Sequence, residues 1–131
     1  MKSLDPSIKV IGVQTEGAST MYESWKAGEI IKVEEFQTLA EGLLGGLEPE
    51  ALTFEVIKKN VDKIVLVRDD NIKKAIRILW NKEGQIVEGA GATSVAYILE
   101  HAEKFDNKNV IAVLSGGNIE ESLFREIIAS P

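Results

Sequence analysis

A chain of 131 residues with 44% hydrophobic and 27% charged residues has the size and composition of one globular domain, which excludes disordered and fibrous classes. Its formal net charge of −6, with no basic cluster to offset it, argues against nucleic acid as a partner. Cysteine is absent, so disulfides, thiolate metal sites and a cysteine nucleophile are excluded within these residues; no signal peptide or membrane-spanning apolar run is recognisable, and cytoplasmic residence is the simplest reading.

Lys9 to Gln14 reads as a short buried strand, because Val10, Ile11 and Val13 are β-branched and Pro6-Ser7 before them marks a turn. Ala18 to Ala27 is predicted helical, with Met21, Tyr22 and Trp25 at helical spacing and Gly28 where a C-terminal cap is expected. Ile30 to Phe36 can be extended, and Gly42, Gly45 and Gly46 punctuate Thr38 to Leu47 as a closely packed loop. A helix restarts at Pro49, whose missing N–H costs nothing in a first turn, with Leu52, Phe54, Val56, Ile57 and Val61 as its apolar positions. Ile64 to Val67 is the second strand. Asp69 and Asp70 suit the N-terminus of the next helix, on which Ile72, Ala75, Ile76, Leu79 and Trp80 form one apolar stripe before Gly84. The run Glu88-Gly89-Ala90-Gly91-Ala92 leads into a helix with Ala92, Val95, Ala96 and Leu99 on one face. Asn109 to Leu114 is a continuous apolar run, predicted as a third strand buried on both faces, and Leu123, Phe124, Ile127 and Ile128 close the chain helically. Strands alternating with helices define an α/β fold, a largely parallel sheet with flanking helices, and residues 1–131 read as a single domain.

In open α/β sheets ligands gather beyond the carboxyl ends of strands, where loops and helix N-termini expose unpaired N–H groups. Three segments qualify: Gln14 to Ala18, Glu88 to Ala92, and Ser115-Gly116-Gly117-Asn118. Ser115 can offer a hydroxyl, Gly116 and Gly117 can adopt positive φ, and Asn118 can fix the loop through its side chain, although the same four residues also suffice for a plain turn. Glu88 stands where a helix dipole favours a carboxylate, so capping competes with a ligand-facing role. Trp25 and Trp80 are core or interface residues by position, the pair Glu34-Glu35 is read as solvated, and His101 as a solvated or dipole-favoured residue late in a helix.

Taken in order, Val10-Ile11-Gly12-Val13-Gln14, Thr38-Leu39-Ala40-Glu41-Gly42, Leu52-Thr53-Phe54-Glu55, Val87-Glu88-Gly89-Ala90-Gly91-Ala92 and Val113-Leu114-Ser115-Gly116-Gly117-Asn118 give a more specific pattern than any one turn. In these landmarks the chain resembles the second half of the pyridoxal-phosphate-dependent serine/threonine dehydratases, which include threonine deaminases and serine racemases and share the tryptophan-synthase-β-like fold. The resemblance implies the large-domain portion of that fold. It further implies that Ser115 bonds the pyridine nitrogen of the cofactor, that Gly116, Glu88 and Gly89 lie at the cofactor ring, and that Ala40-Glu41-Gly42 lines the same pocket, with Glu41 where the family usually carries aspartate. Gln14 and Thr20 fill the places of acidic cation ligands in some members, so no metal site is expected.

The family's Schiff-base lysine, Ser-Gly-Asn-His segment and glycine-rich phosphate loop are not recognisable, so no catalytic residue is assigned here. The resemblance therefore implies part of a threonine/serine ammonia-lyase that converts L-threonine to 2-oxobutanoate and ammonia, inactive as this chain alone and with pyridoxal phosphate belonging to the complete enzyme. Lys2-Ser3-Leu4-Asp5-Pro6 resembles the tail of a family helix, which suggests a chain that starts inside a domain. Exposed apolar surface is then expected, favouring a homo-oligomer or association with a complementary N-terminal part. The alternative is a stand-alone, non-catalytic module that binds an amino acid or a phosphate.

Overall fold

The computed structural model describes residues 2–130, an α/β arrangement of a parallel sheet with flanking helices. Strand β1 (Ile11–Thr15) pairs in parallel with β2 (Lys63–Val67), Gly12 opposite Ile64 and Thr15 opposite Val67. Both strands are β-branched runs, and the register is fixed at their entry by Asp62. Its carboxylate accepts the Val10 N–H at 2.8 Å while its own N–H donates to the Val10 carbonyl at 2.9 Å. Lys2 reaches the same carboxylate at 2.7 Å and Lys9 at 3.7 Å. The bond from Lys2, then that from the Val10 N–H, hold the Asp62 carboxyl at about 2, below the usual 3.8. Lys2 to Leu4 forms a turn.

Helix α1 (Thr20–Ala27) follows β1 and ends at Gly28, whose φ of 79° and N–H to the Ser24 carbonyl make the expected left-handed cap. Residues 30–36 form no strand; the Phe36 N–H donates to the Gly17 carbonyl, and Glu35, read as solvated, accepts from the Thr20 hydroxyl at 2.6 Å and the Gly45 N–H at 2.9 Å. Helix α2 (Leu52–Asn60) starts beyond Pro49, which lies in a turn. Of its expected apolar positions only Phe54 is buried; Leu52 is 83% exposed and Val56 is also exposed, because α2 rests on the body of the protein along a narrow edge.

The core lies between β2, α3 (Asp69–Glu83), α4 (Gly89–Glu100) and α5 (Glu121–Ala129). Ile72, Ala75, Ile76 and Leu79 of α3 meet Ala92, Ala96 and Tyr97 of α4, and Phe124 and Ile127 of α5 seal one end. The stripe on α3 is as the 3.6-residue period predicts, except that Trp80 is half-exposed and stands edge-on to Phe124 at 5.5 Å. Leu99 likewise leaves the buried face of α4, and His101, at the end of that helix, stacks edge-on against Tyr97 at 4.7 Å instead of standing free in solvent. Trp25 is partly buried on α1.

The expected third strand is not formed: residues 109–114 make no sheet pairing. Ile111 is 85% and Val113 65% exposed. A strand exists through its neighbours' backbone groups, and among the described residues no strand pairs with this segment to supply them. It is tethered instead by the Ser94 hydroxyl, which donates to the Val113 carbonyl at 3.1 Å. Among the described residues no helix is long and apolar enough to cross a membrane.

Candidate functional site

Helix α4 begins where four glycines allow three stretches of backbone to touch. At its start, a Cβ on Gly89 would collide with the Leu39 carbonyl, and one on Gly91 would lie 2.7 Å from the Gly116 carbonyl. A Cβ on Gly116 would sit 2.5 Å from Glu88 Oε1, and one on Gly117 would sit 2.7 Å from the Ile86 carbonyl. Gly117 is therefore required for space against backbone, whereas a side chain at Gly116 would displace the Glu88 carboxylate. Neither has the positive φ expected of them, since the left-handed glycines are Gly28, Gly45, Gly46 and Gly84.

Glu88 is the residue flanking α4, yet its side chain makes no capping bond to the helix. It turns to the neighbouring loop, where the carboxylate accepts the Asn118 N–H at 3.0 Å while the Glu88 N–H donates to the Gly116 carbonyl at 3.1 Å. The loop is thus fixed through the backbone of Asn118, not through its side chain as expected. The N-terminal end of the α4 dipole lies at the same place and favours the Glu88 charge. Ser115 is exposed, and among the described residues its hydroxyl has no hydrogen-bond partner. Ser115, Gly116, Glu88 and Gly89 are therefore neighbours along one wall.

The loop Thr38–Gly42 completes that wall. Ala40 is buried in the core, Glu41 begins an exposed 3-10 turn (Glu41–Leu43), and a Cβ on Gly42 would lie 3.3 Å from that of Ala90 and 3.8 Å from Glu88 Oε1. None of the segments meeting here contains a lysine.

A second polar cluster lies at the carboxyl ends of β1 and β2. Asp69 does not cap α3: its Oδ1 accepts the hydroxyls of Thr38 at 2.7 Å and Thr15 at 3.1 Å, and its Oδ2 accepts the Leu39 N–H at 2.7 Å. A cleft of about 260 Å³ opens beside it, lined by Thr15, Glu16, Gly17, Thr38, Arg68 and Asp69. Sequence reading missed this cluster because an aspartate at a helix start already has a sufficient local explanation, and nothing in the pattern links it to Thr15, 54 residues away. The Gln14 to Ala18 segment enters it through Thr15, Glu16 and Gly17 only; the Gln14 side-chain oxygen accepts the Tyr22 N–H at 2.7 Å. Among the described residues no three His, Cys, Asp or Glu side chains converge as metal ligands.

This α/β frame, with a glycine-packed wall at the start of a helix, is that of a cofactor-dependent enzyme class: the chain belongs to the family described as pyridoxal-phosphate dependent enzymes, whose profile matches residues 1–116. It is 41% identical to the L-threonine ammonia-lyase of Thermotoga maritima over 98% of its own length and 31% of that protein. Serine racemase of Dictyostelium discoideum is 40% identical over 97% of this chain and 40% of its own length. Among solved structures, the processed threonine deaminase isoform 2 of Solanum lycopersicum superposes with a TM-score of 0.87 at 30% identity, covering 99% of this chain and 39% of that one. The chain thus spans between 31% and 40% of the length of these curated relatives.

Proposed function

We propose that residues 1–131 form part of a single catalytic domain of a threonine/serine ammonia-lyase, and that they supply the wall on which pyridoxal phosphate rests. The observation that carries this is the convergence of Ser115-Gly116, Glu88-Gly89 and Ala40-Gly42 on one side of α4. The likeness to proteins named threonine ammonia-lyase and threonine deaminase supports the reaction: L-threonine to 2-oxobutanoate and ammonia by loss of the β-hydroxyl. A cytoplasmic location goes with this reading, since the proposed substrate is a free amino acid.

The residues suit the cofactor chemically. Bound pyridoxal phosphate supplies the electron sink that lets an amino acid lose its α-proton and a β-substituent. The Ser115 hydroxyl, which has no partner among the described residues, can bond the pyridine nitrogen as a neutral partner. Gly116 presents backbone without a side chain, against which a flat ring can lie, Gly89 packs on the Leu39 carbonyl behind it, and Glu88, held by the Asn118 N–H, stands at the edge. With no lysine on this wall, the chain lacks the group that would carry the cofactor covalently and move the α-proton, so it is expected to be inactive alone.

The test is complementation. Given pyridoxal phosphate and L-threonine, the chain alone should release no sustained 2-oxobutanoate. Mixed with a polypeptide comprising the remaining, lysine-bearing part of the Thermotoga maritima relative, it should, and S115A should weaken cofactor binding about tenfold, the worth of one hydrogen bond. Sustained turnover by the chain alone, or none by the mixture, would overturn the reading. Tight binding of an amino acid or phosphate without turnover in the mixture would favour the stand-alone binding module.

A further inference from the structure

We propose that Asp69 is a positioning residue for the cofactor wall: from the start of α3 its carboxylate holds the Thr38–Gly42 loop against Gly89 and thereby sets where the Glu88 carboxylate stands. The inference deepens the cofactor reading and rests on it for its functional meaning.

The linkage can be followed atom by atom. Asp69 Oδ2 accepts the Leu39 N–H at 2.7 Å, and Oδ1 accepts the Thr38 hydroxyl at 2.7 Å, so one carboxylate fixes two successive residues of the loop. Thr38 extends the grip, its hydroxyl oxygen accepting the Ala40 N–H at 3.2 Å. The next contact is steric. The Leu39 carbonyl lies so close to Gly89 that no side chain fits between them, and Gly42 passes over Ala90. Gly89 and Ala90 are the first residues of α4 after Glu88, whose carboxylate accepts the Asn118 N–H at 3.0 Å. A loop free to lift from Gly89 would release the first turn of α4, and the Glu88–Asn118 bond would lengthen with it.

Several features favour positioning over mere ion storage. Asp69 forms no ion pair among the described residues, and its bonds go to hydroxyls and one amide, groups that fix direction rather than charge. Thr15 and Thr38 are buried, so their hydroxyls meet the Asp69 carboxylate from the protein side of the cleft. The anchor itself is held in the core: Asp69 is the first residue of α3, whose Ile72 and Ile76 are fully buried, and it follows β2 after the single residue Arg68.

The experiment uses amide hydrogen exchange resolved by NMR on the 131-residue chain, with no cofactor added. In D69A and T38V the Leu39 and Asn118 amides should exchange about tenfold faster than in the parent, as expected for loss of one hydrogen bond. The Ile76 and Leu79 amides in the middle of α3 should keep their protection, and T38S, which restores the hydroxyl, should return Asn118 to the parent rate. A general loss of protection that includes Ile76 in every variant would make Asp69 a stability residue and overturn the proposal. So would an Asn118 rate unchanged in T38V, or T38S behaving like T38V. Because these rates need no cofactor, they are decided separately from the cofactor reading, which S115A and the complementation assay test.

Discussion

Glycines in this chain serve two different physical ends, and substitution separates them. At Gly84 a Cβ would meet nothing, but the φ of 63° is one that side chains resist, so G84A should cost about 1 kcal/mol in a denaturant melt and leave the wall around Glu88 undisturbed. At Gly89 φ is not left-handed, yet a Cβ would run into the Leu39 carbonyl. G89A should cost more, about 1–3 kcal/mol, and shift the Leu39 and Asn118 amide resonances as the loop is pushed away. The first kind was legible in the sequence at Gly84, which comes one helical turn after Trp80, the last residue of an apolar stripe. The second was only half legible. The turn at Ser115–Asn118 was noticed for its composition, but positive φ was the wrong reason for its glycines; the need for room arises from Glu88 and Ile86, which no local pattern brings near.

Among the helices, periodicity told where apolar residues repeat but not whether a partner faces them. Helix α3 has β2, α4 and α5 around it, and its stripe is buried; helix α2 carries a comparable set with only Phe54 covered. Truncation should expose the contrast: I76A should lose about 2–5 kcal/mol in urea melts, L52A no more than about 0.5. The strand pair has its own signature in acid. Asp62 titrates at about 2 in the folded chain against 3.8 when unconstrained, so its stabilisation is present above pH 3.8 and disappears as pH falls through about 2. D62N, lacking that carboxylate, should show a shallower loss of stability across this window. Added salt should shrink the difference, because Lys2 and Lys9 act on an exposed group.

At the scale of the molecule, the 109–114 segment is a clear strand by sequence that the structure leaves unpaired. Its composition is that of a strand buried on both faces, and the expectation was sound as a statement about what these side chains require. What the composition could not say is where the neighbouring strands come from, and among the described residues there are none. Val110, Ile111, Val113 and Leu114 together form the apolar surface for which we propose a covering partner, a second copy or a complementary polypeptide. Sedimentation should show concentration-dependent association of the chain that I111D combined with V113D reduces; a dilution-resistant monomer would count against this.

The pairing of β1 with β2 also sets an order of events in time. Asp62 binds Val10 across 52 residues of sequence, and every rung of the parallel ladder has the same separation. Closing so long a loop costs entropy before any rung rewards it, whereas α3 and α4 are joined by only a few residues and can dock early. Refolding should accordingly be slowed by I76A, while V13A should act mainly by speeding unfolding, a difference that stopped-flow chevrons can read. The β1–β2 ladder would then be the last part of the fold to assemble and the first to open.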